Sequence, residues 1–115
     1  MGAERAFSFL KVNRRESKPR SKAVTEIRGP YYTPLGKRCL EDILETMGFY
    51  VDILKFAGGS FALIPSKSLQ DIIELCHRYD VMVSTGGFIE YVLTQGSHAV
   101  NHYIAECKDL GFDIM

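Results

Sequence analysis

Apolar residues in this chain switch between two spacings, and the switching lays out the expected elements. Residues 51–60 read VDILKFAGGS, five apolar residues with one acid and one lysine, halted by Gly58-Gly59-Ser60. A near-continuous apolar run bounded by glycines predicts a strand buried on both faces, as in a parallel sheet. Shorter runs predict three more strands at 23–28 (AVTEIR), 81–84 (VMVS) and 112–115 (FDIM). Between these runs the spacing becomes helical. Leu40, Ile43, Leu44 and Met47 form one stripe, and Leu69, Ile72, Ile73, Cys76 and Tyr79 a second. Val100, Tyr103, Ile104, Cys107 and Leu110 form a third, and a short helical segment is expected at 88–94. Thr33 and Pro34 suit the cap and first position of the first helix. Ser68 and Asp71 have capping-box spacing, and Gly48 and Gly111 are natural helix stops.

Strand starts recur about every 30 residues, the length of one strand–helix unit. Right-handed crossovers then make the strands parallel with the helices outside. The predicted fold class is α/β: the N-terminal half of a (β/α)8 TIM-type barrel, whose whole takes about 250 residues. Residues 1–22 are expected as an N-terminal segment and basic connector, and 23–115 as three βα units plus the start of a fourth strand. A chain stopping inside an apolar strand reads as the N-terminal portion of a longer protein. A doubly wound sheet with helices on both faces is the competing architecture.

Composition narrows the setting. The chain has 115 residues, 46% hydrophobic and 24% charged, with zero formal net charge. That balance fits one globular domain and gives no general pull toward nucleic acid or membrane. No apolar run reaches the roughly 20 residues of a membrane span, and the N-terminus lacks the order of a signal peptide. Residues 11–22 hold six basic residues against Glu16 alone, without aromatics, and read as a solvated connector rather than a nucleic-acid site. Cys39, Cys76 and Cys107 are far apart and lie on predicted helices, so buried reduced thiols and a cytoplasmic location are expected.

The candidate chemistry gathers at strand ends. Lys55 lies near the carboxyl end of the second strand, the end that carries chemistry in parallel α/β folds. A lysine there is costly to bury unless an anion meets it, and the following glycines admit a ligand or backbone closely. The alternative is a lysine reaching the rim above a structural turn. Glu26 has Arg28 and Lys55 as salt-bridge partners to choose between. His98, His102 and Glu106 have ligand-like i, i+4, i+8 spacing, but on the solvated face of their helix. Tyr31 and Tyr32 either roof a pocket or pack as a loop.

The segments LKFAGGS (54–60), VSTGG (83–87) and ECKDLGFD (106–113), with the opening RAFSFL (5–10), resemble phosphosulfolactate synthase. VTEIRGP (24–30) is similar to the opening strand of a branch that includes plant heat-stress-associated proteins. The resemblance covers essentially the whole chain. It implies a (β/α)8 barrel and a magnesium-dependent addition of sulfite to phosphoenolpyruvate, a step toward coenzyme M. By resemblance Lys55 and Glu90 are candidate catalytic residues, and Arg28, Gly59, Ser60, Gly86 and Gly87 candidate binders of the anionic substrates. Arg28 could clamp a carboxylate or phosphate, and the glycines and Ser60 could supply backbone donors. The chain departs from the archaeal pattern at Ile27, where an Asp is usual, and at Gly58, where an aromatic is. The family's remaining acidic and basic residues would lie beyond Met115, so the resemblance assigns no magnesium ligand here. Two alternatives stand beside the enzyme: a non-catalytic heat-stress relative acting through protein partners, and a phosphate-binding barrel with another substrate. A homo-oligomer is a further expectation, because a half-barrel leaves edges and an inner face to cover.

Overall fold

A computed structural model describes residues 5–29 and 36–115. The proposed cap at Thr33 and Pro34 and the loop tyrosines Tyr31 and Tyr32 lie outside the described residues. The elements run β1 (Glu26–Gly29), α1 (Lys37–Met47), β2 (Ile53–Phe56), α2 (Ser66–Arg78), β3 (Met82–Ser84), α3 (Ile89–Leu93) and α4 (Ser97–Leu110). Short 3-10 turns at Gly48–Tyr50 and Ser60–Leu63 follow α1 and β2.

The three strands form one parallel sheet in sequential order β1-β2-β3. Ile114 makes a parallel bridge to Ser84, so the predicted fourth strand begins beside β3 as a single bridge. Parallel neighbours need crossovers, and the helices supply them. Leu54, Phe56 and Val83 point from the sheet into the core, where Leu40, Leu44, Leu69, Ile72, Ile73 and Cys76 of α1 and α2 meet them. Glu26, Arg28 and Met82, on the opposite face of the sheet, are exposed. Among the described residues helices therefore cover one face only, which is a barrel segment and not a doubly wound sheet.

Several local expectations change. β2 is buried on one face, through Leu54 and Phe56, while Ile53 and Lys55 are half-buried. α1 leaves Ile43 and Met47 exposed, and α4 exposes Ile104, so their stripes are narrower than the spacing suggested. α2 has Pro65 at its N-cap and no side-chain cap, and Asp71 instead pairs with Lys67 at 3.0 Å. Cys76 and Cys107 are buried free thiols, but Cys39 is exposed. Burial, helped by Asp113, pushes the Cys76 thiol up to about 12.

The basic connector is docked in part: Lys11, Arg14 and Lys22 are exposed, whereas Arg15, Lys18 and Arg20 are part-buried. Arg20 donates to Asp52 Oδ1 at 2.8 Å and to the Phe49 carbonyl at 2.7 Å, and its side chain is only 1% exposed. Arg15 donates to Asp52 Oδ2 at 3.3 Å and to the Tyr50 carbonyl at 3.1 Å. Lys18 donates to the Tyr79 carbonyl at 2.8 Å, at the end of α2. Helix C-termini carry partial negative charge and unpaired carbonyls, so three cations crossing them act as a strap over the amino ends of the strands. Asp52 also accepts the Thr25 N–H at 2.8 Å. Burial pushes its carboxyl up, but the Thr25 N–H with Arg20 and Arg15 outweighs burial and holds it below the usual carboxylate range. Burial lowers the Lys18 pKa, and Arg20 and Arg15 add to the effect against the attraction of Asp52.

Candidate functional site

β1 and β2 pair Arg28 with Lys55, and β2 and β3 pair Lys55 with Ser84. In-register neighbours share a face, so these three side chains form one row across the open side of the sheet. The row sits at the carboxyl ends of the strands, where the glycine turns begin. A hollow of about 490 Å3 opens there, lined by Arg28, Lys55, Ala57, Gly59, Gly87 and Glu90 among others. A larger hollow, about 680 Å3, lies between the starts of α1 and α2. Its lining is the surface of α1 and α2 with the residues Gly36, Ile64 and Pro65 before them, and among the described residues includes no strand residue, so the strand-end hollow is the candidate site.

The cations of the hollow differ in their ties. Arg28 Nε donates to Glu26 Oε2 at 2.8 Å, two residues back on the same strand face. Glu26 thus pairs with Arg28 rather than Lys55. Lys55 is half-buried and has no ion pair or hydrogen bond among the described residues. Its alkyl stem passes directly over Gly86. A Cβ at Gly86 would lie 2.9 Å from Lys55 Cε and 3.0 Å from the Phe56 carbonyl oxygen.

The glycine turns divide by role. Gly59 adopts φ +71°, and a Cβ there would run into the Phe88 ring that backs the hollow. Gly59 and Gly87 line the hollow, and neither N–H has a partner among the described residues. Ser60 and Gly86 do not line it. The Ser60 N–H goes to the Ala57 carbonyl at 3.2 Å, and the Gly86 N–H to Ser84 Oγ at 3.1 Å. Both donors expected from these residues are therefore spent inside the fold. Ser60 Oγ is buried without a partner among the described residues. Ser84 is the residue that sequence reading passed over. Its only signal is its place at the carboxyl end of the third predicted strand, as Lys55 is near that of the second.

Glu90 stands on the first turn of α3 at the edge of the hollow. No three His, Cys, Asp or Glu side chains gather among the described residues as a metal ion would require. With Glu26 tied to Arg28, this donor set does not fit a magnesium ion. His98, His102 and Glu106 are exposed along α4 and form no such group. His77 instead pairs with Asp113 at 2.8 Å, which also accepts the Val83 N–H at 2.8 Å.

A sequence model of (2R)-phospho-3-sulfolactate synthase (ComA) matches residues 13–115. The Protein HEAT-STRESS-ASSOCIATED 32 of Arabidopsis thaliana is 47% identical over 106 residues, covering 92% of this chain and 37% of that protein. The phosphosulfolactate synthase of Methanothermobacter thermautotrophicus is 27% identical over 110 residues, covering 96% of this chain and 41% of the relative. That of Methanocaldococcus jannaschii is 30% identical over 80 residues, 69% of this chain and 31% of the relative. The chain thus spans about a third to two-fifths of the length of the curated relatives it matches. Family match, parallel strand order and one-sided helices agree: the chain belongs to the phosphosulfolactate synthase family.

Proposed function

We propose that this chain forms the phosphoenolpyruvate-binding part of a site that adds sulfite to phosphoenolpyruvate, giving phosphosulfolactate. The observation that carries the reading is Lys55, a half-buried cation with no ion partner among the described residues, facing a hollow at the strand ends. Phosphoenolpyruvate and sulfite are both anions and repel each other. Lys55 and Arg28 offset that repulsion with fixed charge, and Arg28 is held in orientation by Glu26. The unpartnered N–H groups of Gly59 and Gly87 suit phosphate or carboxylate oxygens. A sulfur–carbon bond forms at the methylene carbon of phosphoenolpyruvate. Negative charge then moves to the carbon bearing carboxylate and phosphate, and that carbon takes a proton. Glu90 is the carboxyl group at the hollow and the proposed proton-handling residue. A cytoplasmic location goes with this reading; no helix among the described residues is long and apolar enough to cross a membrane.

Calorimetric titration with phosphoenolpyruvate tests the site. Lys55→Met is expected to weaken binding about tenfold or more, the value of one charge-assisted contact. Equal affinity in the variant would overturn the assignment. The greater identity to the heat-stress protein, 47% against 27% and 30% for the synthases, favours a second reading, a non-catalytic relative. Phosphoenolpyruvate-dependent loss of sulfite separates the two: turnover supports the enzyme, and binding without turnover supports the relative.

A further inference from the structure

We infer that Gly86 and Ser84 are positioning residues for Lys55: together they form the seat that aims its ammonium group into the hollow. The inference rests on the proposed anion site and assigns roles that backbone donation to substrate does not. Gly86 has its N–H turned inward to Ser84 Oγ at 3.1 Å, so it is not free to bind an anion. Its bare Cα instead faces the Lys55 stem. A Cβ there would stand 2.9 Å from Lys55 Cε, closer than real Cβ atoms approach, with the Phe56 carbonyl oxygen at 3.0 Å and Lys55 Cγ at 3.4 Å. A lysine stem has several rotatable bonds and yields more easily than backbone does. An added methyl would therefore displace Lys55 first.

Ser84 fixes the other side of the seat. It is in register with Lys55 on the adjacent strand and is buried. Its hydroxyl oxygen holds the Gly86 N–H and so the turn in which Gly86 takes φ +66°. The turn is defined from both ends, by strand pairing before it and by the Ser84 side chain within it. A flexible cation thereby meets a fixed surface, which lowers the ordering cost of binding an anion.

The experiment compares Gly86→Ala, Ser84→Ala, Lys55→Met and the Lys55→Met/Gly86→Ala pair in two readouts. The first needs no ligand: trace acetylation of lysine amines, read site by site by mass spectrometry. Gly86→Ala is expected to raise Lys55 labelling several-fold, with the other lysines unchanged and cooperative melting retained. Ser84→Ala, which adds no atoms, is expected to do the same to a smaller degree. The second readout is phosphoenolpyruvate affinity. Gly86→Ala is expected to weaken it about three- to tenfold in the parent and not at all in the Lys55→Met background, the signature of coupled residues. Unchanged Lys55 labelling in both seat variants overturns the inference, whatever binds. So does an equal Gly86→Ala loss in both backgrounds. Failure of Lys55→Met to weaken binding removes the anion site but leaves the labelling result to decide the seat.

Discussion

Arg20 and Lys55 are both cations at ends of the sheet, and the fold treats them oppositely. Arg20 is almost fully covered and bound to Asp52 and a helix-end carbonyl. Lys55 has no such partner among the described residues. Substitution is expected to separate them. Arg20→Met should cost about 3 kcal/mol, because Asp52 keeps its burial and loses its shortest ion pair. Lys55→Met should leave urea-unfolding stability within about 0.5 kcal/mol. Equal losses would show Lys55 to be structural. Asp52 also sets a pH dependence. Its folded pKa is depressed, so its contribution is fully present above the unfolded value and is lost as pH falls through the folded one. Stability should therefore decline as pH drops below about 4, the unfolded carboxylate value. Asp52→Asn should be less stable at neutral pH and flatten that acid limb. A parallel decline in both proteins would assign the acid sensitivity elsewhere.

The strap belongs to the scale of elements, and its two parts should behave differently. Phe7, Phe9 and Leu10 are exposed, with Phe7 and Phe9 touching each other edge to face at 6.4 Å. Arg15, Lys18 and Arg20 reach the ends of α1 and α2. Removing residues 1–12 should change stability by under about 1 kcal/mol, while removing 1–22 should cost several, as loss of a buried network does. Hydrogen exchange at the Thr25 and Val81 amides should rise only in the longer deletion. Equal protection in both would demote the strap to a passive tail. Strands, their order and their parallel sense were readable because apolar runs, glycine stops and a recurring unit are local features. The strap was not, because a basic stretch without aromatics looks the same whether solvated or docked. Its acceptors are one aspartate about 30 residues away and backbone carbonyls, which leave no mark in sequence. A trace existed in the paired phrases Gly48-Phe49…Asp52-Ile53 and Gly111-Phe112-Asp113-Ile114. Each puts an acid just before a sheet residue, and each acid accepts a backbone N–H from the neighbouring chain segment, Thr25 just before β1 and Val83 in β3. At the site, Lys55, Arg28 and the glycine turns were legible as strand ends. The destination of the Ser60 and Gly86 N–H groups was not, since it depends on turn geometry.

For the molecule as a whole, the open side of the sheet decides solution behaviour. Met82 is 45% exposed there, Ile114 and Met115 are exposed nearby, and Ile53 is half-buried. β1 has one strand neighbour among the described residues. Apolar side chains on this open sheet face form a surface that favours pairing with a like surface. A polypeptide of these 115 residues is therefore expected to self-associate with rising concentration, through sheet face against sheet face about a two-fold axis. Light scattering after size exclusion, from low micromolar to several hundred micromolar, measures it. Met82→Lys should shift the distribution toward monomer without loss of stability, because the side chain is already exposed. Replacing Phe7 and Phe9 by Ser supplies the contrast, since these rings form a separate apolar patch. Dissociation by the Phe variants and not by Met82→Lys would move the interface to the N-terminal segment. A monodisperse monomer at every concentration would show that the open face is tolerated in water, and the expectation of a homo-oligomer would fall with it.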